Sequence, residues 1–203
     1  MNNFDNAAST WDENPMHLER SQAIATKMQN LISLSKDMNA LEYGAGTGIL
    51  SFLLSENLGH ITMMDSSSGM VKVMEEKVQN RNAQNLLPVC FDLEQDSSEL
   101  KFKLIFNQMV LHHIKNVKSI FEKFYHMLSP DGILAIADLY LEDGSFHGEG
   151  FDGHLGFDPE QLKGMLLTTG FKNMHFEECY SVTRNLDDGT VKSFPIFLLT
   201  ASK

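Results

Sequence analysis

Three glycines at alternate positions, Gly44, Gly46 and Gly48, stand between the strand-like run Ala40-Leu41-Glu42-Tyr43 and the apolar pair Ile49-Leu50. Glycine admits positive φ and lets a ligand lie against bare backbone, so this spacing predicts a ligand-cradling loop between a strand and a helix. A phosphate-binding P-loop would need Lys and then Ser or Thr after the last glycine, where Ile49-Leu50 stand instead. The dinucleotide loop would need glycine or alanine at position 49, where the helix packs and a pyrophosphate meets its N-terminus. Ile49 therefore counts against a nicotinamide-dependent oxidoreductase. About twenty residues beyond the loop, Asp65 closes an apolar run, and a carboxylate there can accept both vicinal hydroxyls of a ribose. Ser66, Ser67 and Ser68 are available to cap the next helix, which leaves Asp65 free for that role.

These residues need strands and helices to hold them. Residues 39–43 read as a strand entering the glycine loop, followed by a helix from about 48 to Gly59, a natural C′ residue. Residues 60–64 form a second short strand, and Met70, Val71, Met74 and Val78 mark one face of the next helix. Third and fourth strands are expected at 86–91 and 102–107, the latter running into Gln108-Met109-Val110-Leu111-His112-His113-Ile114. Val117, Ile120, Phe121, Phe124, Tyr125 and Leu128 then give the clearest amphipathic helix in the chain. Pro130-Asp131-Gly132 ends it and turns into 133–137, an apolar strand suited to the middle of a parallel sheet and closed by Asp138.

Ahead of this core, Asn14-Pro15 reads as an N-cap with proline at the first helical position, and Ile24, Met28, Leu31 and Ile32 recur at helical spacing. Residues 1–13 read as a loosely held arm, whose Trp11 either anchors a terminus or folds over a ligand. Residues 139–157 hold five glycines, His147, His154 and several acids without periodicity, which suits a substrate-side lid or a flexible surface loop. Asp158-Pro159-Glu160-Gln161 is a capping box opening a helix that ends at Gly170. Residues 173–182 and 193–201 form an antiparallel hairpin around Asp187-Asp188-Gly189, with Pro195 expected at a strand start. The alternation of strand and helix gives an α/β fold whose ligand lies at the carboxyl ends of parallel strands. Glu42, Asp65, Asp92, Asn107 and Asp138 all stand at such ends.

Residues 38–140 resemble the class I S-adenosylmethionine-dependent methyltransferases. The resemblance rests on Glu42 ahead of G-x-G-x-G, Asp65 after the second strand, Cys90-Phe91-Asp92-Leu93 after the third, and Leu111-His112-His113 after the fourth. It implies a Rossmann-like, doubly wound, mostly parallel seven-stranded sheet with a C-terminal antiparallel hairpin. It also implies S-adenosylmethionine held by Glu42, Gly44, Gly46, Gly48, Asp65, Ser66, Asp92, Leu93 and Asn107. In that scheme Asp92 accepts from the adenine amino group and the next backbone amide meets a ring nitrogen. Members often carry Asp at the start of the fourth strand, where this chain has Lys103-Leu104. The expected reaction is methyl transfer to a small-molecule acceptor. A sulfonium methyl is already reactive, so aligning the nucleophile in a dry pocket supplies most of the acceleration. For an acceptor that must lose a proton, His113 and His112 are the first candidate bases or orienting groups, with His147 and His154 next. A His-His pair can equally pack against or cap the following helix. Asn107-Gln108-Met109-Val110 lacks the Asn-Pro-Pro-Tyr pattern, which argues against methylation of adenine or glutamine nitrogen. A relative that binds the cofactor without catalysis is the alternative from outside enzymology.

At 203 residues the chain is expected to be one domain, 1–203, with an arm and helix at 1–37, a cofactor-binding core at 38–138 and the lid at 139–157. Its 16 basic and 27 acidic residues leave a net charge of −11, a poor match to a phosphate backbone, so no nucleic-acid partner is expected. Cys90 and Cys179 are far apart, and no histidine pair has the i, i+4 spacing of a zinc motif, so neither a disulfide nor a metal is expected. The reduced cytoplasm is the simplest home for such a chain. The N-terminus is polar, and no apolar run approaches the roughly 18 residues of a membrane span, so no membrane partner is expected.

Overall fold

In the computed structural model, which describes residues 3–186 and 189–203, the sheet strands are β1 (Asn39–Tyr43), β2 (His60–Asp65), β3 (Leu86–Cys90), β4 (Phe102–Gln108), β5 (Leu128–Leu139), β6 (Lys172–Asn185) and β7 (Val191–Ser202). The helices are α1 (Asn3–Ala7), α2 (Pro15–Leu31), α3 (Ile49–Leu54), α4 (Ser68–Arg81), α5 (Val117–Met127) and α6 (Pro159–Thr169). All seven strands share one sheet in the order β3-β2-β1-β4-β5-β7-β6. β1 to β5 pair in parallel, while β7 runs antiparallel to both β5 and β6. The chain winds outward from β1 to β3, then returns to place β4 on the other side of β1. The loops leaving β1 and β4 therefore diverge, and a crevice opens between them at the carboxyl edge.

The sheet is covered on both faces, which is why its central strands are nearly continuous in apolar side chains. Ile24, Met28, Leu50, Leu54 and Met74 pack on one face. Phe121, Phe124, Leu162 and Leu166 pack on the other. Burying a side chain the size of Phe124 contributes about 1.5–3 kcal/mol relative to leaving it in water. The helix starts follow their local chemistry. The Asn14 side chain accepts from the backbone N–H of Met16, and Asp158 accepts from those of Glu160 and Gln161, each just ahead of a proline.

Four expectations are corrected. α3 ends at Leu54, well short of Gly59, whose missing Cβ instead lets the chain pass against the Lys36 backbone. Leu31 stays partly exposed while Ile24, Met28 and Ile32 fill the core. Pro195 lies inside β7 and not at its start, paired with Ser181. Its carbonyl accepts from Tyr140 N on the β5 side, just where β5 has ended, so its missing N–H costs no ladder bond. Residues 3–13 are also no loose arm: α1 is followed by a 3-10 turn at Ala8–Glu13, and both pack against α4. Asp187 and Asp188 of the expected hairpin turn lie outside the described residues.

Candidate functional site

A cavity of about 1020 Å³ occupies the crevice at the carboxyl edge. That is room for a nucleoside-sized cofactor together with a small acceptor, at the upper end of ordinary ligand sites. Gly44, Gly46, Asp65, Ser66, Asp92 and Leu93 line one end, and His112, His113 and His147 line the other. Glu42, Gly48 and Asn107, which the resemblance also assigns to the cofactor, are not on its wall.

The glycine loop shows why those residues are needed. Gly44 has φ +66°, and a Cβ there would fall 2.5 Å from Val110 Cγ2, so the loop lies directly on the turn after β4. Gly46 has φ +58° and would carry its Cβ into open space, leaving bare backbone toward the cavity. Beneath the loop, Glu42 is fully buried. Its Oε2 accepts from the Ser51 backbone N–H at 3.1 Å and from the Ser51 hydroxyl. Burial pushes its pKa up to about 8 against the pull of those Ser51 bonds. Glu42 thus ties the end of β1 to the first turn of α3 and acts on the loop from below.

Asp65 is oriented from two sides, Oδ2 accepting from Gly46 N at 2.7 Å and Oδ1 from Ser67 N at 2.8 Å. Burial raises its pKa while these N–H groups oppose the shift. Ser67, not Asp65, caps α4, accepting from Met70 N at 3.2 Å. The remaining Asp65 lone pairs are left for a ligand. Asp92 accepts from Glu94 N at 2.9 Å and stands beside Phe91 and the buried Leu93 on the cavity wall.

The arm roofs this end. Asp5 accepts from the Ser67 hydroxyl at 2.6 Å and from Gly69 N at 2.9 Å, at the start of α4. Asp12 accepts from the Thr47 hydroxyl at 2.5 Å and from Lys77 Nζ at 2.7 Å, which fixes the arm to the glycine loop. Trp11 and Phe4 line the cavity; Trp11 stacks on His17 with ring centres 4.2 Å apart, and Phe4 sets its edge against His113 at 5.3 Å.

At the opposite end, His112 Nδ1–H donates to Asp138 Oδ1 at 2.6 Å, with both side chains almost completely buried. This fixes the His112 ring and leaves its Nε2 as the free nitrogen. The rings of His113 and His147 lie 4.2 and 4.9 Å from that of His112. Burial, together with the neighbouring histidine charges, lowers the pKa of both His113 and His147 to about 4, so both are neutral at pH 7. His147 stacks on Phe151 at 3.7 Å. The segment carrying these two rings is closed onto the sheet: Leu141 N donates to Phe157 O and Phe157 N to Leu139 O. His154 is not in the cavity, its Nε2 lying 2.9 Å from the Ile114 carbonyl. His112 is buried in the wall and borders the cavity.

Sequence reasoning missed Arg20, Asp5 and Asp12. Arg20 lies on the packed side of α2, only 7% exposed, and borders the cavity. Its Nε has no hydrogen-bond partner among the described residues, and burial lowers its pKa to about 10. Its one signal in the sequence is a charge a helical turn away from Ile24. Asp5 and Asp12 carried no signal within a stretch that has no periodic pattern.

A family model described as a methyltransferase domain matches residues 16–175. The chain belongs to that family. With the strand order above, this methyltransferase is of the class I, Rossmann-like type. It is 28% identical over 153 residues to a methyltransferase of Schizosaccharomyces pombe, covering 67% of this chain and 54% of the relative. It is 30% identical over 147 residues to malonyl-[acyl-carrier protein] O-methyltransferase 2 of Ilyobacter polytropus, covering 69% and 55%. The chain thus spans about half the length of these curated relatives. Among solved structures, phosphoethanolamine N-methyltransferase 2 of Haemonchus contortus in complex with S-adenosyl-L-methionine superposes with a TM-score of 0.70 at 18% identity, over 91% of this chain and 52% of that one. Among the described residues, no helix of this methyltransferase is long and apolar enough to cross a membrane.

Proposed function

We propose that this methyltransferase transfers a methyl group from S-adenosylmethionine to a small acceptor bearing an anionic group. The observation that carries the reading is the pairing, within one cavity, of an acid-flanked glycine loop at one end with neutral histidines at the other. When bound, S-adenosylmethionine supplies a methyl carbon already activated by a sulfonium. The chain's own residues then have three tasks. Asp65 binds the ribose hydroxyls, Asp92 and the Leu93 N–H bind adenine, and the bare Gly46 backbone faces the amino-acid tail. Arg20 holds the anionic part of the acceptor, which gives its unpartnered Nε a ligand. His113 and His147, on the wall of the same cavity, hold the acceptor in line with the methyl group. The arm and the 140–157 segment exclude water. The acceptors named in two of the relatives, malonyl-[acyl-carrier protein] and phosphoethanolamine, both carry an anionic group, in keeping with an Arg20 subsite.

Calorimetric titration should give saturable binding of S-adenosylmethionine and none of NADH. Incubation with labelled cofactor and a fractionated metabolite extract should then give a labelled anionic product. Failure to bind S-adenosylmethionine overturns the reading; binding without any methylated product leaves a cofactor-binding relative.

A further inference from the structure

We propose that His112, His113 and His147 form a binding site for one divalent transition-metal ion of the zinc class, with a fourth position open toward the acceptor. One nitrogen from each ring lies within 4.8 Å of the other two. A tetrahedral ion with metal–nitrogen bonds of about 2.0–2.1 Å needs those nitrogens roughly 3.3 Å apart. Small ring movements therefore close the triangle, and three histidines with one open position are a donor set such ions accept.

Two features of the cluster point to an ion and not to packing alone. First, His147 Nδ1 is buried and has no hydrogen-bond partner among the described residues, although the ring is held by its stack on Phe151. A buried ring nitrogen without a partner is costly unless something occupies it. Second, His112 gives its other nitrogen to the fully buried Asp138, the outer carboxylate that fixes the tautomer and orientation of a metal-binding histidine. The charged groups around the cluster are Asp138 and Asp152, which act on His113, Arg184, which acts on His147, and Arg20, which acts on Asp138. With Arg20 and Arg184 on the same cavity wall, an anion suits the open position beside a bound cation, which matches the acceptor proposed above. There the ion would lower the pKa of a bound acceptor group, whose proton leaves to water, with no change in the ion's oxidation state. The binding site itself does not depend on the methyl-transfer reading; only this role does.

The full chain, stripped with EDTA and refilled, tests the site without the cofactor. Titration with cobalt(II) should saturate at one ion per chain with the strong visible bands of a tetrahedral complex, and zinc should displace it. His147→Ala and His113→Ala should each weaken zinc binding at least roughly 100-fold, and Asp138→Asn roughly 10- to 100-fold. His113→Gln and His147→Gln provide variants of similar volume, and thermal melts of all five confirm folding. Absence of saturable binding overturns the proposal, as does binding that the His113 and His147 variants leave unchanged. A parallel titration with S-adenosylmethionine separates the two readings. Metal binding without cofactor binding keeps the site and removes methyl transfer, whereas cofactor binding without metal binding removes the site alone.

Discussion

Between Glu42 and Asp65, a single strand-loop-helix-strand unit supplies the glycine loop, its buried clamp and the acid that faces the cavity. The other end of the same cavity draws His112 and His113 from the turn after β4, Asp138 from the end of β5, His147 and Phe151 from the 140–157 segment, and Arg20 from α2. The first end is held chiefly by backbone: positive φ at the glycines, and N–H groups of Gly46 and Ser67 on Asp65. The second is held by side chains that meet only after the sheet has formed. On the proposed reading, a cofactor common to many enzymes is gripped by geometry that one short segment can encode, and the acceptor faces groups that separate segments can change independently.

The largest expected effect tests whether the clamp under the loop is a neutral acid. Glu42 has a folded-state pKa of about 8 against 4.5 for the free group, so the folded chain retains a proton that the unfolded chain has released. Its contribution to stability is fully present below about pH 4.5 and is lost as pH rises toward 8. Urea unfolding at pH 5 and pH 8 should show the wild type losing on the order of 4 kcal/mol more than Glu42→Gln over that interval. Equal losses would mean that Glu42 is ionised and the loop rests on something else.

A smaller effect separates the two ends. Asp65→Ala should weaken S-adenosylmethionine binding by about 1.5–3 kcal/mol, roughly 10- to 100-fold, as expected for removal of a charged hydrogen-bonding group. The same variant should bind cobalt(II) at the histidines as the wild type does. If cofactor affinity is unchanged, the ribose lies elsewhere; if both affinities fall, the two ends are not separable.

The smallest effect concerns the roof. Asp12→Ala removes the partner of the Thr47 hydroxyl and one of the two acceptors of Lys77, in a pair whose carboxylate is a little under half exposed. The stability cost should stay within about 1 kcal/mol because solvent screens such pairs. Proteolysis of the first thirteen residues should nevertheless quicken, and bound cofactor should protect them. A protected arm in the apo variant would mean that Asp5 and the aromatic contacts of Trp11 and Phe4 suffice.

β1, β2 and β4 were legible because each is a short, mostly apolar run leading to a glycine loop, an acid or a polar turn at its carboxyl end, and α5 because its apolar face repeats at helical period. The Glu42 carboxylate was visible as a motif position but not as a clamp, since its burial depends on α3 folding back over it and presenting Ser51. α3 itself ended early because Leu58 and Gly59 are used for contact with the core and with the Lys36 backbone. Asp5 and Asp12 were unreadable, because a carboxylate in a polar arm reveals its partner only when the arm docks.

Sequence alone determined the order of strands and helices, the glycine loop, and the acids at the strand ends. All of these follow from local conformational preference and from residues close together in the chain. Tertiary structure decided that the arm is a roof, that Arg20 is buried beside the cavity, and that His147 joins His112 and His113 while His154 does not. The spacing of His112, His113 and His147 along the chain carries no metal pattern. Their proximity is created by the divergence of the chain at β1 and β4 and by the closure of the 140–157 segment onto the end of β5, which are properties of the folded sheet and of no single stretch of sequence.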